Sequence, residues 1–145
     1  MGRIKLNIPE KIVGIFDIHV RITDINYGNH VGNDAMVGMV HEARVLWLHQ
    51  LGYSELNIEG SSIIMSDLAV NYINESFHGD LLHIELAVGE ISTAGFELYY
   101  HLTTSRNDSI VSIAKAKTGL VFYNYPLKKI EAVPPKFLEK ITTPL

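Results

Sequence analysis

Residues 24–52 read DINYGNHVGNDAMVGMVHEARVLWLHQLG. A polar, glycine-punctuated loop, 24–32, runs into a long apolar segment that ends at Leu51. Asn33 has the side chain of an N-cap, Asp34 puts negative charge in the first turn, and Gly52 stands where a C-cap belongs. The pattern predicts a helix from Asn33 or Asp34 to Leu51, roughly 18 residues and about 27 Å long. At 100° per residue, Ala35, Met36, Val37, Met39, Val40, Ala43, Leu46, Trp47, Leu48 and Leu51 cover more than half the circumference. Gly38, His41, Glu42, Val45 and His49 fill the remaining strip. So narrow a polar face predicts burial by the chain's own domain and by a partner. Glu42 then sits near the middle of a mostly buried helix. A carboxylate there is paired, hydrogen-bonded or functional, and Arg21 and Arg44 are its candidate partners.

Outward from the helix the period changes to two. Phe16, Ile18, Val20 and Ile22 alternate with Asp17, His19, Arg21 and Thr23, which predicts a strand leading into the loop. Further strands are expected at 62–74, 81–92, from Phe96 onward, and at 109–125, with Lys115 and Lys117 on one face with Ile113. The turns SFHGD (76–80), TAG (93–95) and SRND (105–108) join them. Pro9 argues against a central strand in the lead-in. Pro126, Pro134 and Pro135 mark a tail with one short helix near 135–141. Strand, long helix, then four strands joined by tight turns is an α+β order, with an antiparallel sheet wrapped around one helix. Leftover apolar helix surface and open strand edges favour a symmetric dimer.

The 145 residues are 47% hydrophobic and 19% charged, enough for one domain with a real core and unlike a disordered chain. No cysteine is present, which excludes disulfides, thiolate catalysis and zinc–thiolate sites. The histidines show no metal-ligand spacing such as H-E-x-x-H, so no metal and no cofactor is expected. A net charge of -4 argues against a nucleic-acid partner. The N-terminus lacks a signal-like apolar run and no stretch approaches membrane-spanning length, which points to a cytoplasmic protein with no membrane partner.

The loop concentrates the chemistry. Asp24 and Asn26 are two apart, so an extended chain turns them to one side. His30 follows, and the helix start offers backbone N–H groups around Val31, Gly32 and Asn33 with the positive end of the helix dipole. Such a place polarises a carbonyl or stabilises an oxyanion. Each part also has a plain structural use. Asp24 and Asn26 are common turn formers, and His30 is also suited to packing within the loop.

The loop DINYGNHVGN, followed by MVGMVHEAR, resembles the hotdog-fold acyl thioesterases of the 4-hydroxybenzoyl-CoA thioesterase-like superfamily, including acyl-ACP thioesterases. Their loop commonly reads D-x-D-x-x-G-H-V-N-N-x-x-Y, and their helix commonly contains E-x-A-R. The segment NYINESFHGDLLHIEL (71–86) is similar to the family's second-strand tyrosine and the G-D-x-L opening of its third strand. The resemblance covers roughly residues 14–125. It implies a single hotdog domain over 1–145, one long central helix wrapped by a five-stranded antiparallel sheet, with sites lying between paired subunits.

Carried across, the resemblance makes Glu42, Asn26 and His30 the catalytic candidates and Val31, Gly32 and Asn33 the substrate-binding ones. The Asn33 backbone N–H falls where the family holds the thioester carbonyl. Three positions depart from the pattern. Asn26 stands where many members have a catalytic aspartate, Gly32 replaces an asparagine, and Met36 replaces a tyrosine. The TAG turn lacks the basic residues that some relatives use near CoA phosphates. The expected activity is hydrolysis of an acyl-CoA or acyl-ACP thioester. Glu42 would be general base or nucleophile, Asn26 and His30 would orient water or substrate, and Asp24 is the accessory carboxylate. Two other readings stay open: a non-hydrolytic acyl-thioester binding protein, and a hotdog dehydratase or hydratase using His30 with Glu42. The expected partner besides substrate is a second copy, in a homodimer or a homotetramer.

Overall fold

Alternating burial in the strands builds the wall on which everything else rests. In this computed structural model, which describes residues 2–143, Leu82, Ile84 and Leu86 of β3 (Leu81–Ile91) are fully buried, as are Leu98, Tyr100 and Leu102 of β4 (Gly95–Arg106). The same face continues through Ala114, Ala116 and Phe122 of β5 (Ser109–Asn124). With β1 (Ile12–His19) and β2 (Ser62–Tyr72), the strands form an antiparallel sheet in the order β1-β3-β4-β5-β2. A two-residue strand, β6 (Lys129–Ile130), adds to β5 and makes a sixth strand where five were expected.

Helix α1 (Asn33–Gln50) lies against this face. Its buried residues are Met36, Met39, Val40, Ala43, Arg44, Trp47 and Leu48, spaced three and four apart along one stripe. Each large apolar side chain removed from water contributes about 1.5–3 kcal/mol. The short helix α2 (Pro135–Ile141) closes one end of the core, as the tail prolines suggested. Phe137 is fully buried there, with its ring centroid 6.1 Å from Trp47, 5.3 Å from Phe96 and 5.5 Å from Phe122.

Several local expectations are corrected. The first strand stops at His19 instead of running to Thr23, and residues Ile22–Asp24 form a 3-10 turn. The Arg21 N–H donates to Asp24 Oδ2 (2.8 Å) and the Asp24 N–H to the Arg21 carbonyl (2.9 Å), so the chain curls and Ile22 is exposed. The N-cap is Gly32, and Asn33 is the first helical residue. A Cβ at position 32 would lie 2.7 Å from Asp34 Oδ1, so only glycine lets that carboxylate fold back over the helix start. The helix ends at Gln50 with Leu51 as C-cap, and Gly52 then takes φ +91°, the left-handed conformation expected after a helix. The second strand ends at Tyr72, short of Asn74. Ile113 does not share a face with Lys115 and Lys117. Leu102 pairs with Ala114 and Thr103 with Ser112, so Ile113 is the extra residue of a β-bulge and turns into the core.

The largest correction concerns charge on α1. Glu42 is exposed, and among the described residues it forms no salt bridge with Arg21, Arg44 or any other group. The buried ion is Arg44, 6% exposed, whose Nε donates to Glu55 Oε2 (2.9 Å) and whose Nη1 donates to the Tyr100 hydroxyl (3.2 Å). Tyr100 in turn bonds Thr118 Oγ1 at 2.8 Å. Burial would push the Glu55 carboxyl up, but His41 and Arg44 outweigh it and hold that carboxyl below its usual range.

Candidate functional site

The loop between the 3-10 turn and α1 is held almost wholly by its own backbone. Asn26 N–H donates to His30 O (2.9 Å), Asn29 N–H to Asn26 O (3.1 Å), and Ile25 faces Val31 across an isolated bridge. The Asn26 side chain belongs to this turn, because its Oδ1 accepts the Gly28 N–H at 2.9 Å. Asn29 adopts φ +64°, which asparagine tolerates better than other residues with a Cβ. Nδ1 of His30 lies 3.2 Å from the Val31 carbonyl. That oxygen only accepts, so Nδ1 carries the proton.

The backbone donors at the helix start are not equivalent. Val31 N–H is taken by the Ser76 carbonyl (2.8 Å), and Gly32 N–H by the Asp24 carbonyl (3.1 Å). The Asp34 and Ala35 amides fold onto the side chains of Asn33 and Asp34. Among the described residues, the Asn33 N–H has no acceptor, so of the three amides the sequence singled out, it alone can meet a ligand. Tyr72 steadies this point from β2 by donating its hydroxyl to the Asn33 carbonyl (2.8 Å). Burial and the neighbouring Asp34 carboxylate both push the Tyr72 phenol up, so it stays a neutral donor.

Two clefts flank the loop. One, of about 280 Å³, is lined by His30, Val31, Asn33, Met36 and Tyr72, with residues 73–76 as its other wall. The second, of about 500 Å³, is lined by Glu42, Asp24, Asp17 and Arg21, with the exposed Gly38 and the buried Met39 of α1. His30, Val31 and Asn33 are thus together, and Glu42 is with Asp24. Asn26 and Gly32 line neither cleft. Asp24 Oδ2 is engaged by Arg21, and Asp17 pairs with His83 at 2.9 Å. Glu42 is therefore the unpaired carboxylate of its cleft. From position 33 to position 42 is about two and a half turns, which sets Glu42 about 13 Å farther along α1 on the opposite side.

What the sequence reading missed is residues 73–76. In the sequence, SFHGD reads as a connection and as the approach to the G-D-x-L opening of the third strand, and nothing in it assigns a role to Ser76, which is buried and carries the carbonyl that fixes Val31. Asp80 organises the same turn, accepting from Phe77 N–H (2.9 Å), Ser76 Oγ (3.1 Å) and Arg106 Nη2 (2.6 Å). Burial acts to raise the Asp80 carboxyl, but these donors prevail and hold it below its ordinary value. Among the described residues no group of side chains is arranged to hold a metal ion, and no helix is long and apolar enough to cross a membrane.

The profile of the thioesterase-like superfamily matches residues 20–141. Several solved structures are similar. The 1,4-dihydroxy-2-naphthoyl-CoA thioesterase of Synechocystis is 21% identical, with a TM-score of 0.78 over 88% of this chain and 94% of that one. The DHNA-CoA thioesterase of Staphylococcus aureus is 18% identical, with a TM-score of 0.77 over 88% and 87%. A 4-hydroxybenzoyl-CoA thioesterase mutant, solved with 4-hydroxybenzoyl-CoA, is 14% identical, with a TM-score of 0.77 over 88% and 96%. At these identities the likeness establishes the hotdog fold. No curated protein matches the sequence.

Proposed function

Because the chain belongs to the thioesterase-like superfamily, we propose that it hydrolyses an acyl thioester, of CoA or of acyl carrier protein, at the start of α1. The observation that carries this reading is the open amide at Asn33, the one of the three helix-start amides at Val31, Gly32 and Asn33 without an acceptor among the described residues, in a partly apolar cleft beside His30. An N–H at a helix N-terminus polarises the thioester carbonyl and stabilises the oxyanion that forms when water adds. Val31 and Gly32 contribute by bracing the bed in which that amide sits, and Asn26 by locking the turn. His30 lines the cleft beside the reacting carbon.

Glu42 does not reach a carbonyl held at Asn33 of its own chain. It enters the reaction only from a second copy. A homodimer is supported by two surfaces: β2 is an edge strand exposing Met65, Leu68 and Tyr72, and α1 exposes Val45 beside Glu42. Within one chain His30 and Glu42 line different clefts, so a dehydratase, which needs both at one acyl carbon, would also have to take Glu42 from a second copy; product analysis with enoyl and hydroxyacyl thioesters separates that reading from hydrolysis.

Release of free thiol from short, long and aromatic acyl-CoAs, and then from acyl-ACPs, tests the proposal. Turnover on either carrier identifies it, and the Glu42→Ala variant measured alongside reports whether that carboxylate takes part. Binding of acyl thioesters with no turnover on any carrier would select the non-hydrolytic reading instead.

A further inference from the structure

The turn after β2 brings a carboxylate, Glu75, to the helix start. Glu75 lines the same cleft as His30, Asn33, Met36 and Ile73. Its backbone is held through its own carbonyl and through both neighbours. Asn74 N–H donates to the Ile113 carbonyl (3.1 Å) and Asn74 Nδ2 to the Ser112 carbonyl (2.8 Å). The Glu75 carbonyl accepts from Arg106 Nη2 (2.8 Å), and the next carbonyl, Ser76, accepts the Val31 N–H. The turn and the loop carrying Asn33 are therefore one hydrogen-bonded unit. Among the described residues, the Glu75 side chain takes no part in these bonds.

Among the described residues, the Glu75 carboxylate has no salt bridge and no hydrogen bond. The guanidinium closest in the bonding pattern, Arg106, is bound to Asp80 at 2.6 Å and lies 5.0 Å over the Phe77 ring. His30 is the other basic group of the cleft, but it is turned toward its own loop. Its Nδ1–H serves Val31 O, and its Nε2 lies over Gly28, where a Cβ would come within 3.0 Å of it. Asn26, an amide, takes up no proton at all. This leaves Glu75 as the one unpaired carboxylate in the cleft that also holds the open Asn33 amide.

We infer that Glu75 is a catalytic residue of this protein, the general base that activates water against a thioester held at the Asn33 N–H. The inference rests on the hydrolase reading above. As the new C–O bond forms, the Glu75 carboxylate takes one proton from the water, and the Asn33 amide holds the resulting oxyanion. The C–S bond then breaks, its electron pair leaves with sulfur, and the proton passes from Glu75 to the thiolate. Acid and thiol are the products, and Glu75 returns to its carboxylate form.

The test is steady-state thiol release from acetyl-, octanoyl-, palmitoyl- and benzoyl-CoA and from octanoyl-ACP. The full chain is compared with Glu75→Gln and Glu42→Gln. Glu75 is exposed, so the isosteric amide leaves folding intact, and circular dichroism checks this. The expected result is a loss in kcat of about 100-fold or more for Glu75→Gln at nearly unchanged KM, the scale of general-base catalysis. Glu75→Asp should recover part of it. Full kcat in Glu75→Gln beside an active natural protein overturns the assignment, most decisively if Glu42→Gln is then the variant that fails. A natural protein inactive on all five thioesters overturns the hydrolase reading itself, and the base with it.

Discussion

Replacing Tyr100 by phenylalanine removes one oxygen from the centre of the molecule and leaves two buried groups without their partner. The hydroxyl accepts from Arg44 Nη1 at 3.2 Å and shares a 2.8 Å bond with Thr118 Oγ1. Tyr100 and Thr118 are fully buried, and Arg44 is 6% exposed, so water does not readily substitute. Burial pushes the Tyr100 phenol up, so the group lost is a neutral hydroxyl and no charge is removed. The Thr118 bond is worth about 1 kcal/mol, since a 3.5 Å contact to the Leu98 carbonyl remains to it. The unsatisfied guanidinium donor adds about 1–2 kcal/mol, limited because Glu55 still holds Nε. The sum is about 2–3 kcal/mol. For a chain of this size that lowers Tm by roughly 8 °C, measured at fixed protein concentration. Urea unfolding should give the same loss with an unchanged m-value. Adding Thr118→Val to Tyr100→Phe should cost about 1 kcal/mol less than Thr118→Val alone. A loss under about 0.5 kcal/mol would refute the reasoning that the Tyr100 hydroxyl satisfies buried Arg44 and Thr118, and strict additivity in that cycle would refute the Tyr100–Thr118 bond.

Acid should unfold the protein through its anchored carboxyls. Glu55, Asp80 and Asp67 are all held below their ordinary values, the last chiefly by its hydrogen bond from Lys117. A depressed carboxyl stabilises the fold above the unfolded pKa and loses that stabilisation as pH falls through the folded one. Stability should therefore be level near neutrality and decline below about pH 4, and Glu55→Gln should flatten the decline in a Tm–pH series; an unaltered slope would count against the pairing. His101 follows the same sign from a different range. Burial, with Lys115 nearby, lowers its pKa, so protonation in acid costs stability, and His101→Gln should lessen the loss just below the usual histidine range. Gly95→Ala should cost about 3 kcal/mol in urea unfolding, because a Cβ there would sit 2.3 Å from the Leu120 carbonyl of a fixed β-ladder; a neutral substitution would mean that the β4–β5 pairing is wrong.

The architecture was readable from two periods, 3.6 over α1 and two over the strands, with the turns between them marked by glycine and polar residues. What escaped is physically specific. The Ile113 bulge inverts a face without any residue type that announces it, because isoleucine, alanine and lysine are all at home in a strand. The end of the first strand was overrun because Ile22 continues the apolar alternation, while the Arg21–Asp24 hydrogen bonds that stop it are three residues apart and do not show in a period. Glu42 was expected to be buried because composition around a helix says how much is apolar, and not which side meets the sheet; the buried ion is Arg44, two positions on. The loop donors were identified as a group, but which amides are consumed depends on Ser76 and Asp24 carbonyls, one of them from a distant turn. Glu75 is invisible in the sequence for the same reason: its meaning comes from the carbonyl beside it reaching Val31.

The most direct test of the account is an amide chemical-shift titration of the isotopically labelled protein with acetonyl-CoA, the ketone analogue of acetyl-CoA, which presents the carbonyl without a cleavable C–S bond. If the carbonyl lodges at the start of α1, the Asn33 amide takes the largest downfield shift, Glu75 and His30 respond with it, and the Val31 and Gly32 amides, already bonded to Ser76 and Asp24, move little. Perturbation confined to Asp17, Gly38 and Glu42, with Asn33 unmoved, would contradict it and transfer the chemistry to the other cleft.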